Sequence, residues 1–172
     1  SRPWYTFYMF SVMKINLAVN KLPEFKCLKH LYSSEKEYNE IIGPNYLTGT
    51  IHLNSDSIEI IDKAYLDASR GITSQKPIIE MTIPSVLDKT LVPKDSNHHV
   101  IGLFCQYFPS TLSENDWNEE MKKKCSEIIY NEIEKYCPGF KETIMYQDIL
   151  SPKDLEREFS IREGNICHSS ME

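Results

Sequence analysis

Residues 14–19 alternate between apolar and polar, with Ile15, Leu17 and Val19 on one side and Asn16 and Ala18 on the other. This period of two predicts a half-buried strand. The pattern returns at residues 77–83, where Ile79, Met81 and Ile83 share a side and Pro84 closes the run. Residues 99–108 are apolar on both sides and predict a central strand ended by Pro109. A further strand is expected over residues 47–53, and a short strand or connector over residues 144–150. Between the first two strands, residues 20–45 turn polar and predict a long loop or excursion.

Three stretches carry the helical period instead. Asn54 or Ser55 can cap the first, Gly71 can stop it, and Ile58, Ile61, Tyr65 and Ala68 form one stripe. The second opens on a capping-box pattern, residues 113–116. It then keeps Trp117, Met121, Cys125, Ile128, Ile129, Ile133 and Tyr136 in phase until Cys137-Pro138-Gly139. The third has the strongest local signal: Ser151 as cap, Pro152 where its missing N–H costs nothing, and Asp154 in the capping-box position. Leu155 and Phe159, four apart, are its expected buried face. Strands interspersed with helices in no strict β-α-β rhythm predict an α+β fold. The sheet is expected to be mixed or antiparallel, with helices packed on one face.

Composition narrows the functional classes. The chain has 172 residues, 41% hydrophobic and 26% charged, which suits a folded domain with a sizeable core. Its net charge of −6 argues against nucleic-acid binding. The basic run Lys122-Lys123-Lys124 stands among glutamates and reads as a solvated helix face. Five widely spaced cysteines without a CxxC speak against a disulfide framework and for a reducing compartment. No stretch reaches the roughly 18–20 apolar residues of a transmembrane segment. The chain opens on Ser1 rather than methionine, which fits a fragment or a processed terminus.

Local chemistry is sparse. With six glycines and no Walker loop or GxGxxG, no region can wrap a pyrophosphate in backbone amides. The histidines have no i, i+4 pair, and His98 and His99 are expected on opposite sides of a strand, so no metal site is expected. Cys167 beside His168 reads as a packed thiol next to a partly exposed ring rather than a catalytic pair.

Six segments in order nevertheless form a recognisable set: KINLAVNKLPEF, GTIHL, KPIIEMTIPSVLDKTLVP, YCPGFKETI, DILSPKDLEREF and GNICH. Together they resemble the phytoene dehydrogenase-like group of FAD-dependent oxidoreductases, relatives of carotenoid desaturases and retinol saturase. The resemblance runs from Met13 to Met171, and residues 1–12 stand apart as an atypical N-terminal arm. It implies an amine-oxidase-like flavoprotein in which residues 13–172 form the substrate-binding domain, a mixed sheet over the flavin ring. The glycine-rich FAD-binding Rossmann parts are absent here, so this fragment alone is expected to be inactive.

The resemblance further implies hydride transfer between the flavin and an apolar or polyene-like substrate, in the mitochondrial matrix or otherwise the cytoplasm. A mitochondrial protein partner and a role in regulating mitochondrial function go with that placement. Gly164, Asn165 and His168 form the turn expected to approach the flavin. Gln106, polar amid an apolar strand, is expected to face the substrate cavity. The alternative is a non-catalytic protein-interaction module.

Overall fold

A computed structural model of the chain describes residues 10–29 and 43–166. Five strands form one antiparallel sheet in the order β2-β3-β4-β1-β5. They are β1 (Phe10–Val19), β2 (Ile51–Leu53), β3 (Ile78–Thr82), β4 (His99–Pro109) and β5 (Ile144–Leu150). Among the described residues three helices longer than one turn accompany them: α1 (Ile58–Ser69), α2 (Glu119–Tyr136) and α3 (Pro152–Phe159). The α+β class is the one expected, and of the mixed and antiparallel alternatives the sheet is antiparallel throughout.

β4 is the middle strand. It pairs with β1, placing Ile15 opposite Leu103 and Leu17 opposite Ile101, and with β3, placing Met81 opposite Leu103. Side chains alternate across a strand, so these residues share one face. Ile15, Ile79, Met81, Ile101, Leu103 and Cys105 are all fully buried there. They join one core with Cys125, Ile129 and Ile133 of α2, spaced four residues apart. Each such large apolar side chain contributes roughly 1.5–3 kcal/mol by leaving water. Tyr130 anchors the far edge by donating its hydroxyl hydrogen to Gln147 Oε1 on β5 at 2.7 Å.

Several element boundaries differ from the periodicity. β1 begins at Phe10, inside the stretch read as an arm, with a register shift between Ser11 and Met13. Only Ile51–Leu53 is strand in the second predicted strand, because Gly43–Thr48 winds into a 3₁₀ turn. One helical turn, Lys26–Lys29, interrupts the predicted loop, much of which lies outside the described residues. Neither Asn54 nor Ser55 caps α1. Asn54 takes a left-handed conformation and donates its amide to the Pro77 carbonyl, while Ser57 accepts from the Ile60 N–H. Of the expected stripe Ala68 is buried, but Ile58 and Tyr65 are exposed, and Ala64 is buried in their place. Tyr65 lies edge-on to Tyr107 of β4 at 5.9 Å.

α2 starts at Glu119 with Asn118 as its cap, not at residues 113–116. Lys122 is not solvated like its neighbours: its ammonium meets Asp154 of α3 at 3.2 Å and its side chain is 13% exposed. α3 has the predicted Ser151, Pro152 and Asp154 arrangement. Leu155 is buried, but Phe159 is exposed because the helix ends at Ser160, one residue later, in a left-handed cap.

Candidate functional site: the second face of the sheet

The residues between the core positions form the other face. On β1 these are Lys14, Asn16 and Ala18, and on β4 Val100, Gly102, Phe104 and Gln106. β3 adds Glu80 and Thr82, β2 His52, and β5 Tyr146 and Asp148. Gly102 is buried, while Lys14, Asn16, Ala18, Val100, Phe104, Gln106 and Glu80 are half-buried. His52, Thr82, Tyr146 and Asp148 are exposed. The face is a floor of small and aromatic groups set with polar side chains.

Lys14 is its most distinctive member. Burial lowers its pKa below the ordinary lysine value, a shift that the nearby Cys105 slightly opposes. Lys14 has no ion-pair partner among the described residues. The amine rests over Gly102, where an added Cβ would lie 2.8 Å from Lys14 Nζ and 3.1 Å from Thr82 Oγ1. A glycine inside a strand often marks a close approach, and here the missing side chain gives the amine its place. Such an amine can donate to an acceptor above the sheet, or release and recover a proton more easily than a solvated lysine.

Two further pairs order the polar groups. Gln106 Nε2 donates to Glu80 Oε1 at 2.7 Å across β3 and β4. Asn16 Nδ2 donates to Asp148 Oδ2 at 3.3 Å across β1 and β5. At the end of β4, His99 is buried beside Ser85, with Oγ 3.3 Å from Nδ1. Burial lowers the His99 pKa first, and the charges of Lys89 and His98 lower it further.

The sequence-predicted residues divide. Gln106 lies on this face, joined to Glu80. Gly164 is buried at the end of a short turn, where its carbonyl accepts the Ser11 hydroxyl hydrogen at 2.5 Å. Asn165 follows it half-buried, and His168 lies outside the described residues. Lys14, Gly102 and Glu80 were not singled out by motif reading. Their signal was a polar or glycine residue at alternate positions in strands whose other face is wholly apolar.

Two surface hollows lie elsewhere. One of about 310 Å³ lies between residues 20–24 and 137–143, and one of about 250 Å³ lies beside Gly71, Leu112 and Met121. Among the described residues no three His, Cys, Asp or Glu side chains gather as a metal site, and no helix is long and apolar enough to cross a membrane.

Gly102→Ala tests the lysine's seat. Stability is expected to stay within about 1 kcal/mol, since the strand conformation suits alanine and the atoms in the way are side-chain ends. The displaced amine should become several-fold more reactive toward an acylating reagent, read at Lys14 by peptide mass spectrometry. Unchanged labelling would mean that the amine does not sit over Gly102.

Comparison with known proteins finds relatives that this chain matches in part. It is 40% identical over 161 residues to pyridine nucleotide-disulfide oxidoreductase domain-containing protein 2 of Mus musculus, and 39% identical to that of Rattus norvegicus. Each alignment covers 93% of this chain but 26% of the relative, so the chain spans about a quarter of the length of the curated relatives it matches. A more distant likeness, 26% identical over 104 residues, is to a 4,4'-diapophytoene desaturase (4,4'-diaponeurosporene-forming) of Staphylococcus haemolyticus. It covers 58% of this chain and 20% of the desaturase. No protein-family model matches the chain.

Proposed function

We propose that this chain is the substrate-binding part of an FAD-dependent oxidoreductase of the phytoene dehydrogenase-like kind, and that its second sheet face walls the space between flavin and substrate. The observation that carries the reading is the half-buried, unpaired Lys14 amine seated over Gly102 on that face. A desaturase among the relatives supports the same chemistry. FAD, when bound, supplies the electron-pair acceptor or donor for a carbon–hydrogen bond.

The residues present suit such a group. Lys14 offers a hydrogen-bond donor to acceptor atoms of a flavin or substrate, and Gly102 leaves the space in which that amine is held. Phe104, Val100 and Ala18 exclude water and provide apolar contact for a substrate chain, with Gln106 as its polar contact. Gly164 and Asn165, with His168 three positions further along the sequence, are the second proposed approach to the cofactor. By family resemblance the protein works in the mitochondrial matrix, with an apolar small-molecule substrate, a mitochondrial protein partner and an influence on mitochondrial function.

The test is the visible spectrum of the complete protein carrying this chain, purified gently. Bound flavin bands are expected, and a colourless preparation would favour a non-catalytic interaction module instead. In the flavin-loaded protein, Lys14→Met should slow flavin reduction by substrate at least about tenfold while the fold is kept. An unchanged rate would remove Lys14 from the site.

A further inference from the structure

We propose that Glu80 and Gln106 form a hydrogen-bond-accepting station on the second sheet face, and that the substrate is an apolar chain ending in a hydrogen-bond donor, a hydroxyl or an amine. The inference rests on reading that face as the substrate wall. It separates this protein's substrate from a plain hydrocarbon.

The register makes the pair. Ile78 stands opposite Gln106 and Glu80 opposite Phe104, so Glu80 and Gln106 are diagonal neighbours on one face. A carboxylate can only accept, so the Gln106 amide must turn its nitrogen to Glu80, which it meets at 2.7 Å. That contact fixes the amide and leaves Gln106 Oε1 pointing elsewhere. Neither Oε1 nor the second Glu80 oxygen has another hydrogen-bond partner among the described residues. The station therefore presents two free acceptors and one negative charge.

Among the described residues no side chain makes an ion pair with that carboxylate. Lys14 makes no ion pair with Glu80, its amine being turned toward Gly102 and Thr82. His52 stands opposite Glu80 in the β2–β3 register but is exposed and makes no ion pair with it. Beside the station lies the apolar floor of Phe104, Gly102 and Val100. A hydrocarbon laid over both would strip water from a carboxylate and an amide oxygen and return no hydrogen bond, which is costly. A chain with a terminal hydroxyl or amine covers the floor and restores those bonds.

The experiment measures binding of decanol, decylamine and decane to the full-length protein, by displacement of a fluorescent fatty-chain probe. Decanol and decylamine are expected to bind at least about tenfold more tightly than decane, the difference one hydrogen bond to a charged group makes. Gln106→Leu should reduce that preference for both polar probes. Glu80→Gln, which keeps size and fold, should reduce it most for decylamine. Equal affinities, a preference surviving both variants, or no binding of any probe would overturn the proposal. The flavin spectrum is read on the same samples. A coloured protein without the preference refutes the station alone, whereas a colourless wild type refutes the flavin reading.

Discussion

Gly164→Ala is expected to destabilise the protein by roughly 2–5 kcal/mol, combining left-handed strain with overpacking. Gly164 has φ +67°, a conformation that alanine enters only with strain. Space is closed as well: an added Cβ would lie 2.5 Å from the Pro152 carbonyl oxygen, 2.6 Å from Ser11 Oγ and 2.9 Å from Pro152 Cα. Two of these are backbone atoms at the start of α3, where Pro152 lies within the capping box of Ser151 and Asp154 and cannot yield cheaply. The third belongs to the hydroxyl that donates to the Gly164 carbonyl. Denaturant unfolding of the variant measures the effect, and Ser11→Ala, removing one buried hydrogen bond, should cost only about 1 kcal/mol. A Gly164→Ala protein of wild-type stability would contradict this role of the turn as a brace between β1 and α3.

What could be read from the sequence follows the range of the interactions responsible. Ser151, Pro152 and Asp154 cap α3 through contacts within four residues, so their pattern was legible. So was β5, which lies between the Cys137-Pro138-Gly139 break and that cap. The stripe of α1 holds at Ala68 but not at Ile58 and Tyr65, because the face turned inward is centred on the small Ala64 and Ala68, and residue size alone does not show which face a helix buries. Lys122 was read with its sequence neighbours, yet its partner Asp154 is 32 positions away on α3. The same reason hid most of the second face. Gln106 stood out as a polar residue in an apolar strand, but Glu80 becomes its partner only through the antiparallel register of β3 and β4. Lys14 over Gly102 likewise requires β1 to lie beside β4.

Asp154→Ala is expected to cost roughly 2 kcal/mol, since it removes one half of the capping box and takes from Lys122 one of its two carboxylate partners, leaving Glu119 at 2.6 Å. The Asp154 carboxylate accepts from the Ser151 N–H at 2.9 Å and from its hydroxyl at 2.7 Å. It also meets Lys122 at 3.2 Å and Arg157 at 2.7 Å, with its own side chain 7% exposed. Burial alone would raise its pKa. The Ser151 hydrogen bonds and the Lys122 ammonium outweigh that and hold it below the ordinary carboxylate range. A depressed folded-state pKa gives stability that is present above the unfolded-state value, near about 4, and is lost as pH falls through the folded value. Wild type should therefore lose stability on acidification below about pH 4 by more than Asp154→Ala does, and the two should converge there. Urea midpoints measured from neutral pH downward give the comparison. Parallel curves would mean that the carboxylate is not held by these partners. Lys122→Met should be milder than Asp154→Ala, because Arg157 and Ser151 still satisfy the carboxylate. If Lys122→Met proves the more damaging, α3 is held chiefly by the lysine's packing rather than by the charge at Asp154.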